Sequence, residues 1–230
     1  MLDIHTHILP QMDDGSRSVE ESLLMLRSLR AQGVDTVALT SHFYAEDESP
    51  ERFLARRAQA RSRLEAAMDD GEWPSLRSGA EVCYYIGVSR TEGIERLCIE
   101  DTPLLMLEMP MTHWDRSVMD EALELATDGR VILLLAHIDR YLRYNKLDAF
   151  ELLRSRGALM QINAGFAEDR GNHRLLRKLA KRDLIQFVGT DCHGITHRAP
   201  HMSPALEMLE KYGGERLLRT LDLYEEEFFD

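Results

Sequence analysis

The sequence predicts an α/β fold in which seven parallel strands close into a distorted (β/α)7 TIM-like barrel. Short apolar runs alternate seven times with helical segments, which is typical of successive βα units with right-handed crossovers. Each run also ends at a polar residue, and in a barrel the carboxyl ends of all strands meet at one mouth. An open doubly wound sheet is the alternative, but it usually has a glycine-rich first turn, and the first strand is followed by none.

The expected strands are rich in Val, Ile and Leu, as buried parallel strands are. In chain order they cover residues 1–7, 34–40, 76–81, 104–107, 131–136, 158–162 and 185–189. In the first of them, His5 and His7 are two residues apart and therefore point to the same face.

Capping signals mark the helices between the strands. Ser18 and Glu21 form a capping box, Ser49 is an N-cap followed by Pro50 at the first helical position, and Gly157 is a C-cap. The expected helices are 18–33, 49–68, a short one near 93–98, 117–127, 146–156, 174–182, 204–212 and 215–221, followed by an acidic tail at 225–230.

Composition narrows the class of protein. A chain of 230 residues with 44% hydrophobic and 30% charged residues is expected to form a single soluble domain over 1–230. A net charge of -12 argues against general binding to nucleic acid or to anionic membrane, and the longest apolar run, 131–136, is too short to span a bilayer. Cys83, Cys98 and Cys192 form no disulfide framework, and Asp3 and His5 stand where the apolar part of a signal peptide would lie. We expect a cytoplasmic protein, and an oligomer is possible.

Polar residues with metal-ligand chemistry follow the strands. They are His5, His7, His42, Glu81, Glu108, His137, Asn163, Asp191 and His193, joined by Asp14 in the first loop. One such histidine alone is more often a core or surface residue, but so many carboxylates and imidazoles at one mouth would be costly without a cation. The set contains no thiolate, which suits Mn, Fe or Zn, and it exceeds the needs of one ion. We therefore expect two or three ions, with Glu81 bridging, and hydrolysis of a phosphoester by a metal-activated hydroxide.

These residues belong to longer motifs that resemble a known family. The motifs are His5-Thr6-His7-Ile8-Leu9-Pro10, Asp13-Asp14-Gly15, Thr40-Ser41-His42, Gly79-Ala80-Glu81, Leu107-Glu108-Met109-Pro110, Ala136-His137-Ile138-Asp139-Arg140-Tyr141 and Asp191-x-His193-x4-Arg198. From residue 3 to about 202 the chain resembles the polymerase-and-histidinol-phosphatase (PHP) superfamily. Within it, the chain is most similar to the bacterial manganese-dependent protein-tyrosine phosphatases of capsule and exopolysaccharide gene clusters.

The resemblance implies a PHP fold with a three-metal Mn²⁺ centre. One ion would be held by His5, His7, Glu81 and Asp191, a second by Glu81, Glu108 and His137, and the third by Asp14, His42 and His193. Arg140 and Arg198 match the family's phosphate-binding arginines, and His42 is a candidate to assist the leaving group. The implied substrate is the phosphotyrosine-containing tail of a bacterial tyrosine kinase. The chain departs from the family pattern at Gln11, where glycine is common, and in the acidic loop 43–48.

Other interpretations of the sequence remain open. A small-molecule phosphatase of the histidinol-phosphate type would have the same metal site, and the rim at 42–48, 84–85 and 113–114 would separate the two. A non-catalytic metal-bound regulator that binds a kinase tail is a further alternative. The sequence assigns no role to the remaining histidines, namely His113, His173, His197 and His201.

Two other enzyme classes fit the sequence poorly. Cys192-x5-Arg198 has the spacing of cysteine-dependent phosphatases, but Asp191 would raise the thiol pKa and Pro200 lies where a helix should begin. An amidohydrolase would need a lysine at a strand end, and none of the expected strands ends in one.

Overall fold

The computed structural model describes residues 1–229, and the strands within them pair in parallel. The strands are β1 (Leu2–Thr6), β2 (Thr36–Leu39), β3 (His42–Phe43), β4 (Ser75–Ser78), β5 (Glu81–Cys83), β6 (Leu104–Glu108), β7 (Ile132–Leu135), β8 (Leu159–Asn163) and β9 (Phe187–Gly189). They form a three-stranded sheet, β1-β2-β4, and a six-stranded sheet, β3-β5-β6-β7-β8-β9.

The two sheets are parts of one curled barrel. Short breaks divide two of the expected strands, so that β2 continues into β3 and β4 into β5. The last strand returns to the first, because the Asp191 N–H donates to the His5 carbonyl at 2.8 Å and the His7 N–H to the Cys192 carbonyl at 3.0 Å. The predicted distorted (β/α)7 barrel is confirmed, with seven strand positions built from nine strand segments.

Helices surround the barrel. They are α1 (Val19–Ala31), α2 (Pro50–Ala66), α3 (Arg116–Thr127), α4 (Leu147–Ser155), α5 (Ala164–Glu168), α6 (His173–Lys181), α7 (Ser203–Gly213) and α8 (Glu215–Phe229). Ser18 caps α1 by accepting from the Glu21 N–H at 3.2 Å, whereas the Glu21 carboxylate accepts from the Arg17 N–H, so only half of the expected capping box forms. No helix within residues 1–229 has both the length and the apolar character needed to cross a bilayer.

The last helix is longer than expected. The predicted end near residue 221 is wrong, because α8 continues to Phe229; Asp230 of the predicted tail lies outside the described residues. Three aromatic rings of α8, those of Tyr224, Phe228 and Phe229, lie 5.9, 6.4 and 6.4 Å from the ring of Phe187. Their packing stabilises a segment whose consecutive glutamates resemble a solvated tail in the sequence.

Candidate metal centre

The His5 and His7 side chains are held against glycines at the mouth. β1 has a register irregularity between Asp3 and Thr6, a feature that often re-aims side chains beside active sites. A Cβ on Gly189 would lie 2.5 Å from the His5 Cβ, and one on Gly15 would lie 2.2 Å from the His7 carbonyl oxygen. Both positions therefore require glycine for the backbone to approach the histidines this closely.

A first group of donor atoms surrounds His5 and His7. Their Nε2 atoms are 3.2 Å apart, and Glu81 Oε2 lies 3.1 Å from His5 Nε2 and 3.2 Å from His7 Nε2. Asp191 Oδ1 lies 3.7 Å from His5 Nε2 and 3.4 Å from His7 Nε2. All four side chains are buried.

Glu81 also belongs to a second group. Its Oε1 atom is 2.8 Å from His137 Nε2, and Glu108 Oε1 is 3.5 Å from the same nitrogen. The His137 backbone has a φ of 31°, a left-handed conformation that costs a non-glycine residue energy and that occurs often at functional sites.

The third group lies on the other side of Glu81. Asp14 Oδ1 is 3.2 Å from His193 Nε2 and 3.7 Å from His42 Nε2, and His42 Nδ1 is 3.1 Å from Glu81 Oε2. The structure thus brings together all nine predicted metal-ligand candidates, with Glu81 in the middle, where the sequence predicts a bridging group. Three overlapping sets have donor atoms that all lie within 4.8 Å of one another and could each hold a metal ion: His5, His7 and Glu81; His42, Glu81 and Glu108; and His7, Asp14, His42 and His193. His137 and Asp191 adjoin these sets through Glu81 and His7.

The hydrogen bonds of the imidazoles fit bound cations. The Nδ1 atom of His7 donates to Asp13 at 2.9 Å, that of His193 to the Asp191 carbonyl at 3.0 Å, and that of His5 lies 3.3 Å from the Gln161 amide oxygen. The Nε2 atoms of His5 and His7 are then left with lone pairs directed at neighbouring carboxylates and at each other, whereas the Nε2 atom of His193 accepts from Arg198. Glu81 Oε2 is buried without a hydrogen bond among these lone pairs, an arrangement that a bound cation would stabilise.

The pKa shifts differ among the ligand candidates. Burial raises the pKa of Glu81, but the adjacent His5 and His137 imidazoles outweigh it and hold that pKa well below its ordinary value. Burial lowers the pKa of both His42 and His137, and burial together with the positive neighbours His7 and Arg198 lowers the pKa of His193 to about 4. The ionised Glu81 and the neutral His42, His137 and His193 are in the protonation states that metal ligands require. Burial and the Glu81 charge raise the pKa of Glu108 to about 7, and burial is outweighed by neighbouring carboxylates, which raise the pKa of His5 and His7, so these three side chains would release protons on binding a cation.

The two candidate phosphate-binding arginines lie beside the first group. Arg140 and Arg198 each donate from Nη2 to Asp191 Oδ2. Arg198 also donates from Nη1 to His193 Nε2 at 2.9 Å. Each guanidinium is about a third exposed, so its remaining N–H groups can reach a ligand at the mouth. Asn163 adds a further hydrogen bond to Asp191 Oδ2 at 3.0 Å.

Three positioning residues were missed by the sequence interpretation. Asp13 accepts hydrogen bonds from the His7 ring and from the His42 backbone N–H, both at 2.9 Å. Gln161 accepts from the His5 ring and from the His137 backbone N–H, the latter at 2.5 Å. Asp3 accepts from the Thr190 hydroxyl at 2.6 Å. A signal for two of them was present, because Asp3 and Gln161 precede His5 and Asn163 by two residues on the same strands.

The rim differs from the expected one at Trp114, whereas Tyr44 and His113 of the predicted rim are exposed. The predicted rim residue Trp114 is buried, and its ring lies 5.2 Å from that of Tyr141 and 5.0 Å from that of Phe150. Large apolar side chains are instead exposed in other loops that follow strands, at Ile86 and Ile195. Trp114 is therefore a core residue, because its ring packs against Phe150 and holds α4 on the barrel.

Cys192 and the unassigned histidines lie outside the groups of donor atoms. Cys192 is fully buried, and burial together with Asp3 and Asp191 raises the pKa of its thiol well above the ordinary value, which disfavours a thiolate nucleophile. His173 stacks on Tyr212 at 3.8 Å. The other three unassigned histidines, His113, His197 and His201, are exposed.

A parallel barrel whose mouth gathers this many imidazoles and carboxylates beside two arginines has the architecture of a metal-dependent hydrolase. The chain belongs to the family described as "Capsular polysaccharide synthesis, CpsB/CapC", which matches residues 1–227.

Named relatives agree with this assignment. The tyrosine-protein phosphatase CpsB of Streptococcus pneumoniae is 30% identical, over 94% of this chain and 93% of that protein. The tyrosine-protein phosphatase YwqE of Bacillus subtilis is also 30% identical, over 94% of this chain and 87% of that protein. The predicted family is therefore confirmed.

Solved structures resemble the fold. One described as YwqE from Bacillus subtilis and CpsB from Streptococcus pneumoniae, "unique metal-dependent tyrosine phosphatases", has a TM-score of 0.82 at 27% identity and covers 98% of this chain and 93% of that one. The histidinol phosphate phosphatase of Lactococcus lactis has a TM-score of 0.58 at 16% identity, over 93% and 94% of the two chains, and supports the fold alone.

Proposed function

We propose that this protein is a manganese-dependent protein-tyrosine phosphatase that acts on the phosphotyrosine-containing tail of a bacterial tyrosine kinase. The observation that carries the proposal is the convergence of the nine donor side chains beside Arg140 and Arg198, in a chain whose relatives are tyrosine phosphatases. The class of activity predicted from the sequence agrees with those relatives.

Each group of donor atoms would hold one ion. The sets are His5, His7, Glu81 and Asp191; Glu81, Glu108 and His137; and Asp14, His42 and His193. Divalent ions bound there would supply Lewis-acid stabilisation of negative charge on the phosphoryl group. Oxygen and imidazole donors without thiolate favour Mn²⁺, with Fe or Zn as possible replacements.

The chain's own side chains have three tasks. Arg140 and Arg198 bind the phosphoryl oxygens through N–H groups that Asp191 does not engage, and their planar forks offset the acidic charge of the protein. His42 is 12% exposed and sits at the mouth with its ring 5.2 Å from that of Tyr44. The tyrosine oxygen is a leaving group with a pKa of about 10 that needs little protonation, and either His42 or, where an ion engages the His42 ring, an ordered water would assist its departure.

The rim favours a polypeptide over a small molecule. Ile86 is 84% exposed, Ile195 42% and Tyr44 39%, and all three lie in loops that follow strands β5, β9 and β3 at the end of the barrel that holds the site. Exposed apolar side chains around a polar site typically contact a macromolecular partner. The histidinol-phosphate type of substrate would leave them in water.

The experiment is a comparison of kcat/KM for a phosphotyrosine peptide and for histidinol phosphate, with Mn²⁺. We expect the peptide to be preferred, chelation to abolish turnover and Mn²⁺ to restore it. A preference for histidinol phosphate would select the small-molecule alternative. Full metal occupancy without turnover of either substrate would select the non-catalytic regulator.

A further inference from the structure

A cavity of about 540 Å³ adjoins the metal centre on the side of β8 and α5. Arg140, Asp191 and Arg198 line its inner part, and Phe166 and Glu168 of α5 also line it. A volume of this size accommodates a group considerably larger than a phosphate ion. The cavity is therefore placed to receive the part of a substrate that lies beyond its phosphoryl group.

Glu168 is an unsatisfied charge in this wall. Its Oε1 atom is buried without a hydrogen-bond partner, and its Oε2 atom is 3.7 Å from His201 Nδ1, too far for a hydrogen bond. The side chain as a whole is 28% exposed, so it remains reachable from the cavity. A partly buried carboxylate with an unpaired oxygen costs free energy that a cationic partner would recover.

The other carboxylates of the cavity are already engaged. Asp191 accepts from both arginines and from Asn163, and Asp139 accepts from the Asn163 N–H at 2.9 Å. The cavity thus has cationic side chains beside the metal centre and, on α5, a carboxylate with no strong partner among the described residues. A ligand that fits this pattern is anionic at one end and cationic at the other.

We propose that Glu168 is a specificity-determining residue that binds a protonated amine or a guanidinium of the substrate while Arg140 and Arg198 bind its phosphoryl group. The inference rests on the proposed function. The cationic group could come from a basic residue next to phosphotyrosine in a polypeptide or from the amino group of a small amino-alcohol phosphate. Both sources present the same chemistry to the carboxylate.

The test measures binding, so that it does not depend on turnover. Two peptides would carry phosphonomethyl-phenylalanine, a phosphotyrosine analogue that is not hydrolysed. One peptide has lysine on both sides of this residue, and the other has the uncharged norleucine at the same two positions. We expect the wild-type Mn²⁺ protein to bind the lysine peptide about three- to tenfold more tightly, as one partly buried charge-assisted contact allows. Glu168→Gln should abolish the difference, and Glu210→Gln, at an exposed glutamate of α7, should retain it.

A second arm distinguishes the source of the cation. Phosphoethanolamine and ethyl phosphate would compete for binding to the same three proteins. A preference for phosphoethanolamine that Glu168→Gln removes supports the inference with a small-molecule source, and a peptide preference that it removes supports a polypeptide source. The inference would be overturned if the wild-type protein bound the lysine and norleucine peptides equally and also bound phosphoethanolamine and ethyl phosphate equally. A preference for the cationic ligand that survives Glu168→Gln would overturn it as well.

The proposed function has its own readout. Hydrolysis of p-nitrophenyl phosphate, which carries no cation, should occur with Mn²⁺ and should be equal in the wild-type and Glu210→Gln proteins. Absence of this hydrolysis in the wild-type protein would refute the phosphatase proposal and leave the binding result to decide the role of Glu168.

Discussion

The two ends of the barrel are built from opposite chemistries. At the carboxyl ends of the strands, six of the nine candidate ligand side chains are buried with donor atoms facing one another, His42 and Glu108 are half-buried and Asp14 is exposed. His137 and Asp191 have left-handed backbone conformations. At the other end, a cluster that includes Leu2, Ile4 and Phe187 packs against the aromatic rings of α8. The first arrangement costs free energy without a ligand, and the second supplies free energy of folding.

The contrast between the two ends of the barrel predicts which substitutions should affect function and which should affect stability. Changes at the mouth should remove metal and activity, because donor atoms there are positioned for cations rather than for each other. Changes at the opposite end should lower the free energy of unfolding and leave the chemistry of the surviving folded protein unaltered. Four predictions test this contrast.

The largest effect is expected at Glu81, which contacts all three groups of donor atoms. Glu81→Gln should lower kcat/KM for a phosphotyrosine peptide by about a thousandfold or more, because a neutral amide cannot bridge cations as a carboxylate does. Metal content measured by mass spectrometry should fall in parallel. Wild-type activity and metal content in this variant would remove Glu81 from the centre.

A smaller loss is expected at Asp13, which touches His7 but lies outside the predicted ligand sets. Asp13→Asn weakens the acceptor that orients the His7 ring, and metal affinity should fall about 10- to 100-fold. Titration with Mn²⁺ would measure the shift. Asp120→Asn, at a solvent-accessible aspartate of α3, is the matched control and should bind metal as the wild-type protein does.

At the opposite end, Phe228→Ala should affect stability alone. Loss of this half-buried ring beside Phe187 should lower the free energy of unfolding by about 1–2 kcal/mol, measured by urea denaturation. At 25 °C the kcat/KM should equal that of the wild-type protein.

Leu223 on the same helix is 63% exposed and provides the control, since Leu223→Ala should change the unfolding free energy by less than about 0.5 kcal/mol. A large fall in kcat/KM in the folded Phe228→Ala protein would show that the two ends are not independent.

The smallest effect is expected at the rim. Ile86→Ser should raise KM for a phosphotyrosine peptide about two- to fivefold, the loss expected for one exposed apolar contact, and leave hydrolysis of p-nitrophenyl phosphate unchanged. Leu24 on α1 is 48% exposed and provides the control. Leu24→Ser should change neither the KM for the peptide nor the hydrolysis of p-nitrophenyl phosphate. An equal effect on both substrates would contradict a docking role for Ile86.

The contrast between the two ends also explains what could be predicted from the sequence. Strand ends are recognisable because an apolar run stops at a polar residue, and this rule alone predicts that Glu81, Glu108 and His137 share one mouth. The break that separates β2 from β3 carries no comparable signal, because Thr40–Ser41 differ little from the adjoining strand residues. Gly79, between β4 and β5, indicates an irregularity in the strand but does not by itself predict a break.

Long-range packing was the other limit. The burial of Trp114 and the extension of α8 to Phe229 depend on partners far away in sequence, namely Phe150 and Phe187. Local patterns indicate an exposed loop and an acidic tail at these places because they contain no information about such partners.

The most direct measurement is anomalous scattering from crystals of the protein grown with Mn²⁺. We expect manganese peaks at the mouth, each among one of the three groups of donor atoms that share or adjoin Glu81. Active protein whose manganese lies elsewhere, with no peak among His5, His7 and Glu81, would contradict a metal centre at this mouth.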